Sequence, residues 1–437
     1  MKKIISLFFV LIVIICSIPI SVGASYQVSD FEVESEVAIL VSLDTGDVIY
    51  EKNADEKRYP ASITKIMTAV LLMENCKDLN QKVTVTQENY DSLLGTGLVV
   101  GNLKPGEEIT LDACLNLLMV RSAADAAEVI VDYVEKVTGK NFAVLMNEKA
   151  KEIGMNNTNF TNSTGIHDDN HYTTAKDLVK LCKYAIEIPN FLNITSQYVY
   201  EVPATNKNSS WSASTTNHLI NPYTGSLYYQ YARGIKTGFT TPAGACVTSM
   251  ASKDGYNYLC VVLGGNRDAN TQFKDSKKLY EWAFSDFEYR TVADTDTMIA
   301  EMEVELSKET DYVQLYPEKN VTVIMPKDIT NDSIIYDTVL KENSVWAPLD
   351  KGQVLGYVSI KCAGEEIAKV NLVNNYEVKR STWLYIGRIF KNIFTSAWFI
   401  VIAVFIILIF ILLIAMNVIA NKRKRARLKR VKKIKKL

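Results

Sequence analysis

Residues 397–416 read AWFIVIAVFIILIFILLIAM, an unbroken apolar run of 20 residues with no charge. At 1.5 Å per helical residue that length matches a hydrocarbon core about 30 Å thick, so the run predicts a membrane-spanning helix, assigned to 397–420. Behind it the text NKRKRARLKRVKKIKKL carries 11 Lys and Arg and no acid. The positive-inside rule assigns such a tail, 421–437, to the cytoplasmic side. A basic run can also signal nucleic-acid binding, but directly behind a span the membrane reading takes precedence.

The opposite end reads MKKIISLFFVLIVIICSIPISVGA, with Lys2 and Lys3, an apolar stretch, and small residues at Val22-Gly23-Ala24. This is the layout of a cleavable secretory signal over 1–24, with a mature chain starting near Ser25. A retained membrane anchor is the competing reading, which Pro19 and the small residues at 21–24 disfavour. The chain's formal net charge of −1 conceals a strong asymmetry. Setting aside the 11 tail cations with Lys2 and Lys3 leaves 35 cations against all 49 acids, a net of −14 for the exported part. A part so acidic is unsuited to nucleic acid or an anionic polymer as its main ligand.

Six cysteines lie beyond the signal, at 76, 114, 182, 246, 260 and 362, without a short Cys-x-x-Cys spacing. That is neither a zinc pattern nor a disulfide-dense scaffold. Cys246 and Cys260 flank the turn at 253–255, where a cross-strand bridge is one alternative and buried free thiols the other.

The exported text opens with EVAILVSLDTGDVIYEK, 36–52, two alternating runs around Asp44-Thr45-Gly46-Asp47 that predict a hairpin. From Ser62 the period becomes helical, with apolar residues at 63, 66, 67, 70, 71 and 72. Further helical text runs over 111–139 and 173–187, strands return at 231–264, and 276–287 reads as a closing helix. Strand, helices, strands and a final helix predict an α/β (α+β) sandwich over 25–290, in which the terminal and central segments share one sheet. Residues 296–380 turn to short alternating runs and predict a small all-β domain. Residues 381–396 place bulky apolar side chains at 383, 386, 389, 390, 393 and 394 opposite Arg388 and Lys391, as in a juxtamembrane amphipathic helix.

Chemistry is concentrated in three places. Ser62-Ile63-Thr64-Lys65 opens the first buried helix, and residues three apart share a helix face, so the Lys65 amine can reach the Ser62 hydroxyl. A serine is a weak nucleophile until a base takes its proton, and a lysine serves as that base when burial or neighbouring cations lower its pKa. Alone, this pattern arises by chance, as an N-cap serine beside a solvated lysine. Ser122 follows in MVRSAADAAEVI, and Lys236-Thr237-Gly238 closes the set inside a strand-rich segment. A lysine and a side-chain-free glycine there, where a packed sheet would use Val or Ile, suggest a cation and a close approach.

Ser-x-x-Lys, a serine-headed second motif and Lys-Thr-Gly, in that order, are the signature set of penicillin-binding proteins and class A β-lactamases. With LKPGEEITLDACLNLLMVRSAADAA, FTNSTGIHDDNHYTTAKDL and TTNHLI, the chain resembles the low-molecular-weight penicillin-binding proteins that act as D-alanyl-D-alanine carboxypeptidases. The resemblance implies a β-lactamase/transpeptidase-like fold and an acyl-enzyme on Ser62, with Lys65 as base and Ser122 as proton relay. It implies that Lys236, Thr237 and Gly238 bind substrate along a strand edge, and that the backbone N–H groups of Ser62 and Phe239 form the oxyanion hole. Its implied partners are peptidoglycan stem peptides ending in D-Ala-D-Ala, β-lactam antibiotics as inhibitors, and the plasma membrane through a single C-terminal span. The catalytic part would face the extracytoplasmic side. No cofactor or metal is implied, and His167, His171 and His218 read as loop and packing residues.

One departure stands out. The family's second motif is Ser-x-Asn, and here it is Ser122-Ala123-Ala124 followed by Asp125. Loss of the amide predicts weaker positioning, about ten- to a hundredfold in rate. A catalytically silent cell-wall-binding protein and a serine β-lactamase are the alternatives.

Overall fold

The computed structural model of the protein describes residues 31–434, with side chains as far as 428. The signal-peptide reading of 1–24 lies outside the described residues. The chain separates into two compact units. One holds the residues up to Val292 with Val321–Tyr336 and Ile360–Ala368; the other holds Ala293–Asn320, Asp337–Ser359 and the residues from Lys369 onward.

The first unit is organised by a five-stranded antiparallel sheet. The hairpin expected at 36–52 is present as β1, Val37–Ser42, and β2, Val48–Lys52. Three later strands complete the sheet: β3, Ala232–Thr240, β4, Gly244–Lys253, and β5, Tyr256–Gly265. The spatial order is β2-β1-β5-β4-β3, so β1 pairs with the late strand β5 and β3 forms one edge.

Alternation along each strand explains why both faces are covered, since successive side chains point to opposite sides. Val37, Ile39 and Val41 of β1 and Leu259, Val261 and Leu263 of β5 enter one core. Ala38, Leu40, Tyr258, Cys260 and Val262 enter the other. The first core is filled by helices α1, Lys65–Asn75, α2, Leu111–Asn116, α3, Ala124–Thr138, and α4, Ala175–Glu187. The second is covered by α5, Thr271–Asp286, through Phe273, Leu279, Tyr280 and Ala283. This is the sandwich that the element order predicted.

Two local readings change. The helical text of 111–139 is broken: a π turn spans Leu117–Arg121, Ser122 adopts a left-handed φ of 67°, and α3 begins only at Ala124. The bridge between Cys246 and Cys260 is excluded by register. The turn between β4 and β5 is the two-residue Asp254-Gly255, so Lys253 pairs with Tyr256 and Ser249 with Cys260. Positions of equal parity then face opposite ways, and Cys246 packs in the first core while Cys260 packs in the second. Both are free thiols.

In the second unit β6, Ala300–Glu305, pairs antiparallel with β7, Tyr312–Pro317, and parallel with β8, Ser344–Trp346. Beyond these strands runs α6, Thr382–Thr395, capped by the Ser381 hydroxyl. Arg388 of α6 pairs with Glu305 at 2.9 Å, while Trp383, Ile386, Ile389, Phe390, Ile393 and Phe394 are exposed. The last helix, α7, Ala397–Ile434, contains a stretch of 32 residues, Ala397–Leu428, with mean hydropathy 3.6 in its most apolar part. It is long and apolar enough to cross a membrane.

Candidate functional site

Ser62 lies on a tight 3-10 turn, Ala61–Thr64, placed directly before α1. The turn starts with a left-handed Ala61, φ 47°, and two glycines allow it to be packed from both sides. A Cβ on Gly165 would lie 1.8 Å from the Ala61 carbonyl oxygen, so the loop around 160–165 meets the turn backbone to backbone. A Cβ on Gly238 would lie 2.9 Å from the Ser62 nitrogen and 3.0 Å from the Pro60 oxygen. The close approach that Gly238 signalled is therefore, first of all, that of the chain's own Ser62 turn against β3.

Lys65 is the first residue of α1 and is only 1% exposed. Its Nζ donates to Ser62 Oγ at 3.0 Å and to the Thr164 carbonyl at 2.6 Å, which fixes the amine against the hydroxyl. Burial pulls the Lys65 pKa down to about 7, partly opposed by the negative charges of Glu128 and then Asp125. An amine in that range is neutral in a large fraction of molecules near neutral pH and is competent to accept a proton.

Lys236 is the second buried lysine, 1% exposed, with Nζ donating to the Thr237 carbonyl at 3.0 Å. Burial, and then repulsion from Lys65, hold its pKa well below the ordinary lysine value. Lys236 thus lies close enough to Lys65 to feel its charge, and an arriving anion beside the pair would favour their protonated forms. Thr237 Oγ1 is hydrogen-bonded to Thr216 Oγ1, so the segment containing TTNHLI orients that hydroxyl. The ring of Phe239 is 41% exposed, and the Arg267 guanidinium lies 4.4 Å from its centroid. Because β3 is an edge of the sheet, the backbone along Lys236–Phe239 has an open side on which an extended chain can pair.

Ser122 occupies the left-handed residue between the π turn and α3, 7% exposed, and the π turn packs against both α1 and β3. Among the described residues its hydroxyl is hydrogen-bonded to neither lysine. Ala124 is fully buried and its N–H donates to the Val99 carbonyl at 2.8 Å. Asp125 is committed elsewhere: its carboxylate accepts from the N–H groups of Gly101, Leu103 and Ala126 at 2.7–3.0 Å.

Three contributors escaped the reading of motifs. His171, read as packing, is 2% exposed with Nδ1 accepting from the Thr161 N–H at 3.0 Å, so Nε2 carries the proton donated to Thr64 Oγ1 at 2.8 Å. Burial lowers its pKa to about 4, which keeps this tie to the Ser62 turn neutral. Thr164 contributes a backbone carbonyl, which side-chain patterns cannot reveal. Glu128 lies four residues after Ala124, a spacing that puts both on one face of α3.

The arrangement sets a serine hydroxyl against a buried lysine of depressed pKa, beside a second buried lysine and an edge strand. Residues 24–267 match the family described as D-alanyl-D-alanine carboxypeptidase, and residues 287–380 match the penicillin-binding protein 5, C-terminal domain. The chain is similar to the D-alanyl-D-alanine carboxypeptidase DacF of Bacillus subtilis, 29% identical over 82% of this chain and 89% of that protein. Its fold resembles that of the D-alanyl-D-alanine carboxypeptidase DacD from Francisella tularensis, with TM-score 0.66 and 23% identity over 81% of this chain and 95% of that one. It also resembles penicillin binding protein 5 from Haemophilus influenzae, with TM-score 0.64 and 25% identity over 81% of this chain and all of that one.

Proposed function

The chain belongs to the D-alanyl-D-alanine carboxypeptidase family of serine-type hydrolases, and on that premise we propose how its own residues carry the reaction. Neutral Lys65 takes the Ser62 proton as Oγ attacks the carbonyl between the last two D-alanines of a peptidoglycan stem peptide. The backbone N–H groups of Ser62 and Phe239 hold the oxyanion. The proton passes through Ser122 to the leaving amine, the C–N bond breaks, and D-alanine departs. Water then hydrolyses the ester on Ser62 and restores the hydroxyl. Lys236 and Thr237 receive the terminal carboxylate, while the peptide lies along β3 as an added strand. β-Lactams acylate the same serine.

The carrying observation is the 3.0 Å bond between Lys65 Nζ and Ser62 Oγ, made by a lysine whose pKa lies near 7. The catalytic part, 25–290, and the small β domain, 296–380, are held outside the plasma membrane by the apolar helix. The basic end of the chain lies in the cytoplasm, as the charge asymmetry favours.

The test uses the full-length protein in detergent with a peptide ending in D-Ala-D-Ala and with fluorescent penicillin. D-alanine release together with covalent labelling is expected, and Ser62→Ala should abolish both while the protein still melts cooperatively. Full labelling of Ser62→Ala overturns the assignment of the nucleophile. Rapid catalytic turnover of penicillin, in place of a burst followed by slow release, identifies a β-lactamase. Labelling without D-alanine release identifies a silent wall-binding protein.

A further inference from the structure

Ala124 leaves the second motif without its amide, yet Lys65 is held in place, and the bonds that hold it lead to a residue outside the three motifs. The Thr164 carbonyl accepts from Lys65 Nζ at 2.6 Å, and the neighbouring Ser163 carbonyl accepts from Thr68 Oγ1 at 2.7 Å. Lys65 and Thr68 are three apart on α1, so two donors of one helix face grip two successive carbonyls of the 163–164 segment. The Ser163 hydroxyl donates in turn to Glu128 Oε1 at 2.9 Å, which ties that segment to α3.

We propose that Glu128 is a positioning residue for Lys65: through Ser163 it fixes the carbonyl that orients the amine, and its negative charge faces the same amine. It does this one helical turn beyond Ala124, on the face from which the missing amide would have reached. The inference rests on the reading of Ser62 and Lys65 as nucleophile and base.

The charged groups around Lys65 single out Glu128. Lys236, from β3, is near enough for the Lys65 charge to lower its pKa. Asp125 and Glu128, both from α3, attract it, and Glu128 is the stronger of the two. The Asp125 carboxylate is occupied by three backbone N–H donors, whereas Glu128, among the described residues, accepts from the Ser163 hydroxyl, and its charge favours the protonated lysine. Around Glu128 itself stand Asp132 and Glu135 of the same helix, and burial raises its own pKa. Deprotonation of Glu128 and protonation of Lys65 therefore support each other.

The test measures the acylation rate by fluorescent penicillin from about pH 5 to pH 9 in the full-length protein, where the acid limb reports loss of the proton from the base. Glu128→Gln keeps the acceptor for Ser163 and removes the charge, so neutral Lys65 gains favour. The limb should move to lower pH by about half to one unit. Glu128→Asp retains the charge with a shorter reach, so its limb should stay while its plateau rate falls roughly three- to tenfold. A Glu128→Gln limb at the wild-type pH overturns the inference whatever the plateau does. Should Glu128→Gln fail to fold, an unchanged Glu128→Asp plateau overturns it instead. A Ser62→Ala protein that still labels would overturn the underlying reading, a result distinct from either.

Discussion

Ala124 carries the sharpest consequence at the scale of a single residue. Its side chain is fully buried at the start of α3, one residue past the Ser122–Ala123 break, so a longer polar side chain there would enter the packed region beside the candidate site. Ala124→Asn should raise kcat/KM for D-Ala-D-Ala peptides by about three- to a hundredfold, the span of one regained contact to the substrate carbonyl in the transition state. Because Glu128 faces Lys65, the gain should come from the grip on substrate, leaving the acid limb of the pH profile where it is. Steady-state kinetics on the purified variant check both. A rate that stays flat or falls means that the site has no room for the amide, or that another group already performs its task. Asp125, the next residue along the chain, is committed instead to three backbone donors.

At the scale of elements, the interrupted helix is the feature on which the site depends. A helix continuous through 111–139 would hold position 122 in right-handed geometry; the π turn and the left-handed Ser122 instead set that residue at a break between two helical segments. Asp125 then anchors the segment before α2 by accepting from the buried Gly101 and Leu103 N–H groups, while the Val99 carbonyl accepts from Ala124. Asp125→Ala would strand those donors without partners and should destabilise the protein by about 2–4 kcal/mol. Asp125→Asn, which keeps an acceptor, should cost less. Denaturant titration of both variants checks the order, and equal losses would mean that the carboxylate acts by charge rather than by hydrogen bonding.

For the whole molecule, the arrangement around the apolar helix governs access to substrate. If the exported part faces the wall and the basic end lies in the cytoplasm, protease added to intact cells stripped of wall should digest the portion before α7 and spare an epitope tag placed after Leu437. Digestion of the tag with protection of the rest would reverse the orientation and exclude a substrate outside the cell. Truncation before Trp383 removes α6 and α7 with their exposed apolar side chains, and should release the remainder into the soluble fraction.

Much of this protein was fixed by local pattern. Twenty uncharged apolar residues make a helix long and apolar enough to cross a bilayer, whatever precedes them, because the two match in length. The spacing of Ser62 and Lys65 sets their contact through helical geometry, and alternation along β1 and β5 sets which side chains face which core. What the tertiary structure decided depends on partners distant in sequence. The left-handed Ser122 follows no local glycine signal; it is a residue held by the packing of the π turn against α1 and β3. Gly165 and Gly238 could be noticed as glycines, but only the fold shows that each meets the Ala61–Ser62 turn, across about a hundred and about 175 residues of chain. The register that separates Cys246 from Cys260 turns on one residue of turn length. The bond from Lys65 to a backbone carbonyl, and its continuation to Glu128, involve groups that no side-chain motif encodes, because a carbonyl is present at every position and acquires a role only from what is folded against it.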